Sequence, residues 1–241
     1  MFQNISLMKF LKKLKFTLFL SLICLLFLAA FFFIYYFFRV NKIELISDRK
    51  FTLANESELV DKIIFLINEE DIAKQIVQEN FLLEKAVVEK VLPSTLKVNV
   101  YFYQPIASLI VNKGYFDLSP DGRILIKKKE GKPILPIINY YQKLNSGSFQ
   151  TGDWIDYNDI KQTLYFIEKL KQINLTPLTI DIKGQDMLVF NLNDSKQFVF
   201  SIEKAKEIQD YQLELIIKQF KIEGKEFKKI DLRFEKPVIT F

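Results

Sequence analysis

The sequence predicts an α+β protein: one N-terminal transmembrane helix, a β-α-α-β-β unit, and then a mixed or antiparallel β-sheet domain with two helices. Three observations carry that reading. Phe16 to Phe38 reads FTLFLSLICLLFLAAFFFIYYFF, with no charge between Lys15 and Arg39. All seven glycines and seven prolines lie between Pro93 and Pro237, so long uninterrupted elements precede a turn-rich half. Leu96, Val98, Val100 and Phe102 alternate with Lys97, Asn99, Tyr101 and Tyr103, the period of a half-buried strand.

As a helix, the apolar stretch of roughly 23 residues is about 35 Å long, enough to cross a hydrocarbon core of about 30 Å with some tilt. Tyr35 and Tyr36 fall where aromatic rings favour the headgroup level. Lys9, Lys12, Lys13 and Lys15 precede it without an acidic residue, which predicts a cytoplasmic N-terminus and an extracytoplasmic remainder. A cleaved signal is the rival reading. Its apolar core would be about 7–15 residues and end at small residues, whereas Ala29-Ala30 is followed by eight more bulky apolar ones. An uncleaved anchor is therefore expected, with residues 1–15 as leader and 16–38 as the span.

The formal net charge is +5, but four of the positive charges are leader lysines. Residues 39–241 carry 30 basic against 29 acidic side chains, so the basic balance is a topology signal and implies no nucleic-acid surface. The single cysteine, Cys24, lies inside the anchor, which leaves the outer part to be held by its core alone. The chain has no histidine. Histidine-based triads and histidine-containing zinc sites are thereby excluded, and no phosphate-cradling glycine motif is present. No convincing pair of carboxylates stands out. The residues point to no catalytic group, metal, cofactor or small-molecule substrate.

Ile43 and Leu45 alternate with Lys42 and Glu44, a short strand directly after the anchor. Asn55, with Glu58 three residues on, is a capping signal for a helix that places Leu59, Ile63 and Leu66 on one face. Glu69-Glu70-Asp71 is the acidic first turn of a second helix carrying Ile72 and Ile76. A strand through Ala86 and Val88 ends at Leu92-Pro93, and the alternating strand follows it.

Beyond Pro105 the pattern changes to short strands at 106–111, 115–118 and 123–126, separated by Asn112-Lys113-Gly114 and Pro120-Asp121-Gly122 turns. Asp156 or Asn158 can cap a helix with Ile160, Leu164 and Ile167 on its inner face. Strands are expected at 179–182, 188–192 and 198–201. A last helix follows, burying Ile208, Tyr211 and Leu215, with Gly224 as its stop. Residues 229–234 and 237–241 read as a hairpin around Glu235-Lys236. Lys127-Lys128-Lys129 fits a solvated sheet edge, and Trp154 a core or loop anchor.

The stretch from Ala86 through Val88, Pro93-Ser94-Thr95-Leu96, Val98 and Val100 to Gln104-Pro105-Ile106-Ala107 resembles the centre of the bacterial cell-division family FtsQ/DivIB. Val40 to Leu45 is similar to that family's first strand, and Ile230-Asp231-Leu232-Arg233 to its I-D-L-R signature. Lys90, Leu92 and Phe102-Tyr103 depart from the usual Arg, Trp and Glu-Arg. The resemblance implies a polypeptide-transport-associated (POTRA) domain at 39–104 and a β-domain at 105–241. It further implies a non-enzymatic scaffold of the divisome, placed at the septum in the plasma membrane. In that family the last strands bind the coiled-coil protein FtsB (DivIC), itself paired with FtsL, and the assembly regulates the septal peptidoglycan synthase.

A terminal strand is often a sheet edge able to accept a partner's strand. Carried over by position, the contact comprises Phe234, Lys236, Pro237, Val238, Ile239, Thr240 and Phe241. Two other readings compete with it. One is a POTRA-type chaperoning module for secreted or envelope proteins, and the other an anchored enzyme working through carboxylates.

Overall fold

The computed structural model describes residues 3–184 and 186–241, with side chains described from Phe16 onward. One unbroken helix, α1 (Gln3–Phe37), joins the lysine-rich leader to the apolar stretch. Its portion Phe16–Phe37 is long and apolar enough to cross a membrane and is not buried against the rest of the chain. The chain divides into two compact units, residues 1–102 and 103–241, and is mixed α+β throughout.

In the first unit, β1 (Lys42–Ile46), α2 (Glu56–Leu59), a 3-10 turn (Ile64–Leu66), α3 (Glu69–Glu79), β2 (Leu83–Val91) and β3 (Thr95–Phe102) follow α1. The sheet order is β1-β3-β2, with β3 parallel to β1 and antiparallel to β2. Leu96, Val98, Val100 and Phe102 of β3 are all buried, with Ile76 of α3 in the same core. Asn68 caps α3 by accepting from the Glu70 amide, and the acidic first turn complements the helix dipole.

The helix expected from Asn55 through Leu66 does not form as one piece. Asp61 N–H donates to Val40 O and Val40 N–H to Lys62 O, so this backbone pairs with the exit of α1 instead of with itself. Asp61 adopts φ 71, a turn conformation that ends any helix there. Leu59, Ile64 and Ile67 enter the core, while Leu66 is exposed. Asn55 makes no cap; its Nδ2 donates to Glu79 Oε1 at 2.6 Å.

The second unit contains β4 (Ala107–Ile110), β5 (Tyr115–Leu118), β6 (Ile124–Lys128), β7 (Ile137–Tyr140), α4 (Asn158–Gln172), β8 (Thr179–Lys183), β9 (Met187–Asn191), β10 (Gln197–Ser201), α5 (Lys206–Glu223), β11 (Lys229–Asp231) and β12 (Val238–Thr240). One mixed sheet runs β12-β11-β10-β9-β8-β7-β4-β5-β6. Strand β7, in a stretch with no strand expected from the pattern, sits parallel between β4 and β8. The Lys127 and Lys128 pair lies on β6, one edge of the sheet, and β12 is the other.

A row of apolar side chains crosses this sheet in register: Phe116, Leu109, Ile138, Ile180, Phe190, Phe198, Ile230 and Ile239. Both helices pack onto it, α4 through Ile160, Leu164 and Phe166 and α5 through Leu213, Ile217 and Phe220. Phe166 stacks on Phe200 with ring centroids 3.9 Å apart. Each fully buried side chain of this size contributes about 1.5–3 kcal/mol.

Helix α5 faces the core with a different stripe from the one its apolar residues suggest. Ile208, Tyr211 and Leu215 are exposed, and Gln209, Leu213, Ile217 and Phe220 are inside. The cause is Gln209, whose Oε1 accepts from Ser201 N–H at 2.7 Å while its Nε2 donates to Ser201 O and Lys204 O. A buried amide meeting the end of β10 with all its groups satisfied fixes the rotation of the helix. Gly224 stops α5 in the left-handed conformation, φ 63, as its position suggests.

Candidate strand-docking edge

The last three strands are ordered by their hydrogen bonds. Gln197 N–H donates to Lys228 O and Leu232 N–H to Val199 O, so the Lys228 carbonyl, Ile230 and the Leu232 amide face β10, while Lys228 N–H donates to Thr240 O of β12 at 2.8 Å. Lys229 and Asp231 therefore turn toward β12, where they pair with Thr240 and Val238. Ile239, between those two, directs its own N–H and C=O away from the sheet. Its side chain lies on the core side, packed against the hydrophobic cluster. Among the described residues no strand lies beyond β12.

Val238 and Thr240 are exposed on the opposite face of the same strand, and Phe241 follows them with its ring 6.0 Å from that of Phe220. Of the seven residues singled out from sequence, the structure thus gathers Val238, Ile239 and Thr240 in one edge strand with Phe241 beside it. Phe234 and Lys236 lie in the connection before the strand, exposed, and Pro237 immediately precedes it. Arg233 covers the Phe234 ring at 5.4 Å.

Two arrangements hold this corner, and neither was legible as part of the site. Lys204 Nζ donates to Leu232 O at 2.8 Å, Phe234 O at 2.6 Å and Gln212 Oε1 at 2.8 Å. Gln212 Nε2 in turn donates to Glu235 O at 2.8 Å, so the β11–β12 connection is clamped from α5 and the turn before it. Burial lowers the Lys204 ammonium below the ordinary lysine value.

The second arrangement is an ion pair. Arg233 Nε donates to Asp231 Oδ1 at 2.9 Å, and its terminal nitrogen to Oδ2 at 2.8 Å. The Asp231 side chain is only 6% exposed. Burial pushes the Asp231 carboxyl up, but the hydrogen bonds and charge of Arg233 outweigh it and hold it below the usual carboxylate range. The Ile230-Asp231-Leu232-Arg233 stretch thus has two jobs: Ile230 and Leu232 are fully buried, and the charged pair closes the other side.

Other polar groups noted in the sequence are accounted for by local structure. Asp117 accepts from Ser108 Oγ at 2.6 Å and meets Lys128 Nζ at 3.2 Å. Asp121 accepts from Tyr103 OH at 2.6 Å. Trp154 is half exposed, not a core residue; it anchors its loop by stacking on the Arg123 guanidinium, 4.2 Å away, beside a backbone bridge to the same residue. Among the described residues no cluster of three or more potential metal ligands occurs.

Compared with protein-family models and with curated proteins, the chain has no match.

Proposed function

We propose that this chain is a non-enzymatic, single-pass membrane scaffold that holds a partner by strand addition at β12. The observation carrying this is Ile239, whose side chain is tied into the core row while its backbone donor and acceptor face outward. Such an edge is rigid, registered and unpaired, the arrangement in which main-chain bonds supply affinity and alternate side chains supply specificity. Val238, Thr240 and Phe241 supply exposed apolar and polar surface beside it. Phe234, Lys236 and Pro237 form the flank that the partner passes.

The reading extends to cell division. The motif resemblance to FtsQ/DivIB, the order β-α-α-β-β after the anchor and the hairpin after Ile230-Asp231-Leu232-Arg233 all agree with it. On this reading the first unit is a POTRA domain and the partner is an FtsB/DivIC-like protein paired with an FtsL-like one. The septal peptidoglycan synthase would be the regulated activity. The leader lysines favour a cytoplasmic N-terminus; on this reading both units lie outside the membrane, and the site of action is the septum.

The test is co-purification of the full chain from detergent-solubilised membranes with the coiled-coil pair. Deleting residues 236–241 is expected to abolish partner recovery while membrane insertion persists. Undiminished recovery would contradict strand addition.

A further inference from the structure

The first unit carries a second feature that the scaffold reading does not use. Directly after α1, Ile64 N–H donates to Phe38 O, and residues 61 and 62 bond the backbone of Val40. Arg39 forms a backbone bridge with Ile63. Segment 61–64 is thus fastened to the three residues that leave the helix. Ile64 and Ile67 are buried beneath the segment, whereas Phe65 and Leu66 between them are 54% and 79% exposed.

That exposed pair turns back alongside the helix. The Phe65 ring lies 4.9 Å from the Phe38 ring, and Leu66 lines a cavity of about 520 Å³ together with Tyr35, in the last turn of α1. Leu92 is also exposed, and the adjoining Ser94 carbonyl accepts from Asn41 N–H at this same end of the sheet. Arg39 places its guanidinium 5.1 Å from the Tyr35 ring and also pairs with Asp61, a cation at the level of the tyrosines.

We infer that Phe65 and Leu66 form a lip that rests in the interfacial layer of the bilayer beside the anchor. The occupant is lipid because the lip is continuous with the apolar surface of α1 and lies level with the last helical turn, where tyrosines and arginine mark the headgroup boundary. Apolar side chains held at that depth are buried among the upper acyl chains. A lip fastened by backbone bonds to the helix exit also limits how the unit swings about the anchor. The inference rests on α1 crossing the membrane, and the experiment separates the two.

The full chain is reconstituted in phosphatidylcholine–phosphatidylglycerol vesicles and spin-labelled at single cysteines. The native Cys24 reports the anchor; Leu66→Cys reports the lip, and Glu84→Cys, at the far end of β2, reports water, both in a Cys24→Ala background. Collision rates with oxygen and with a water-soluble nickel chelate give a depth parameter for each label. Positive values at Cys24 and Leu66 with a negative value at Glu84 are expected. A positive Cys24 with a negative, Glu84-like Leu66 would overturn the lip while leaving the anchor intact. A negative value at Cys24 would overturn the anchor reading and the lip with it.

Discussion

Ile230 and Ile239 face each other in register across β11 and β12, the last pair in an apolar row that crosses eight strands. The contact ties the edge strand to the core from one side only. It leaves the backbone of Ile239 aimed outward, so the residue holding β12 in place is also the one that offers it to a partner.

Ile239→Ala should loosen the edge without unfolding the unit. The side chain is partly buried, so a cost near the low end of the Ile→Ala range, about 2 kcal/mol, is expected. Hydrogen exchange should show lost protection in β11 and β12, with α4 and β8 to β10 retaining theirs.

Replacing the Val238–Ile239 amide by an ester removes the outward N–H and no side chain. Partner affinity should weaken by about 1 kcal/mol, the net worth of one amide hydrogen bond, with only a small loss of thermal stability from the weaker ester carbonyl at Val238, which pairs with Asp231. The same replacement at Thr240, whose backbone pairs with Lys229, should instead lower the stability of the hairpin.

Lys204→Met removes the donor to two backbone carbonyls and a glutamine. Hydrogen bonds from charged groups are worth about 1.5–3 kcal/mol, so the connection from Leu232 to Glu235 should become mobile and partner capture should fall. A protease-nicking assay on that connection reads the effect directly.

Acid should act on the same corner. The Asp231 carboxyl titrates below its ordinary value when folded, so its contribution is complete above the unfolded carboxylate pKa and is lost as pH falls through the folded one. The stability of the isolated-chain hairpin corner should decline in that acidic window, and Asp231→Asn should remove that part of the pH dependence. Arg233→Met removes the two-point partner of the buried Asp231 carboxylate and leaves it Lys229 Nζ, 3.7 Å away, so it should cost about 1.5–3 kcal/mol at neutral pH, measured by denaturant midpoint.

Much of the fold was legible because alternation and turn residues coincide, as in Leu96 to Phe102 and in Tyr115 to Leu118 before the Pro120-Asp121-Gly122 turn. The rotation of α5 was not, because apolar residues occupy both of its faces and a polar one, Gln209, decides between them. Residues 55–66 carry a helical period, but Asp61 and Lys62 find backbone partners at Val40, distant in sequence. The edge strand could be read from its place after a hairpin. Its clamp could not, since Lys204 and Phe234 meet only through the fold and no local pattern marks them.

Glycine at 114 shows how tightly the opposite edge is built. A Cβ there would stand 1.9 Å from Lys128 O, and φ is +90. Gly114→Ala should cost at least about 2 kcal/mol, read as a lowered urea midpoint. Gly184→Ala, where φ is +72 and nothing lies within 4 Å, should cost only the left-handed backbone penalty of about 1–2 kcal/mol.

What touches Thr240, an exposed residue of β12, decides whether a partner adds to this edge. A photocrosslinking amino acid at that position, activated in living cells, should capture one dominant small single-pass protein with heptad repeats. A smear of unrelated secreted proteins, or no adduct at all, would contradict strand addition to a dedicated partner at this edge.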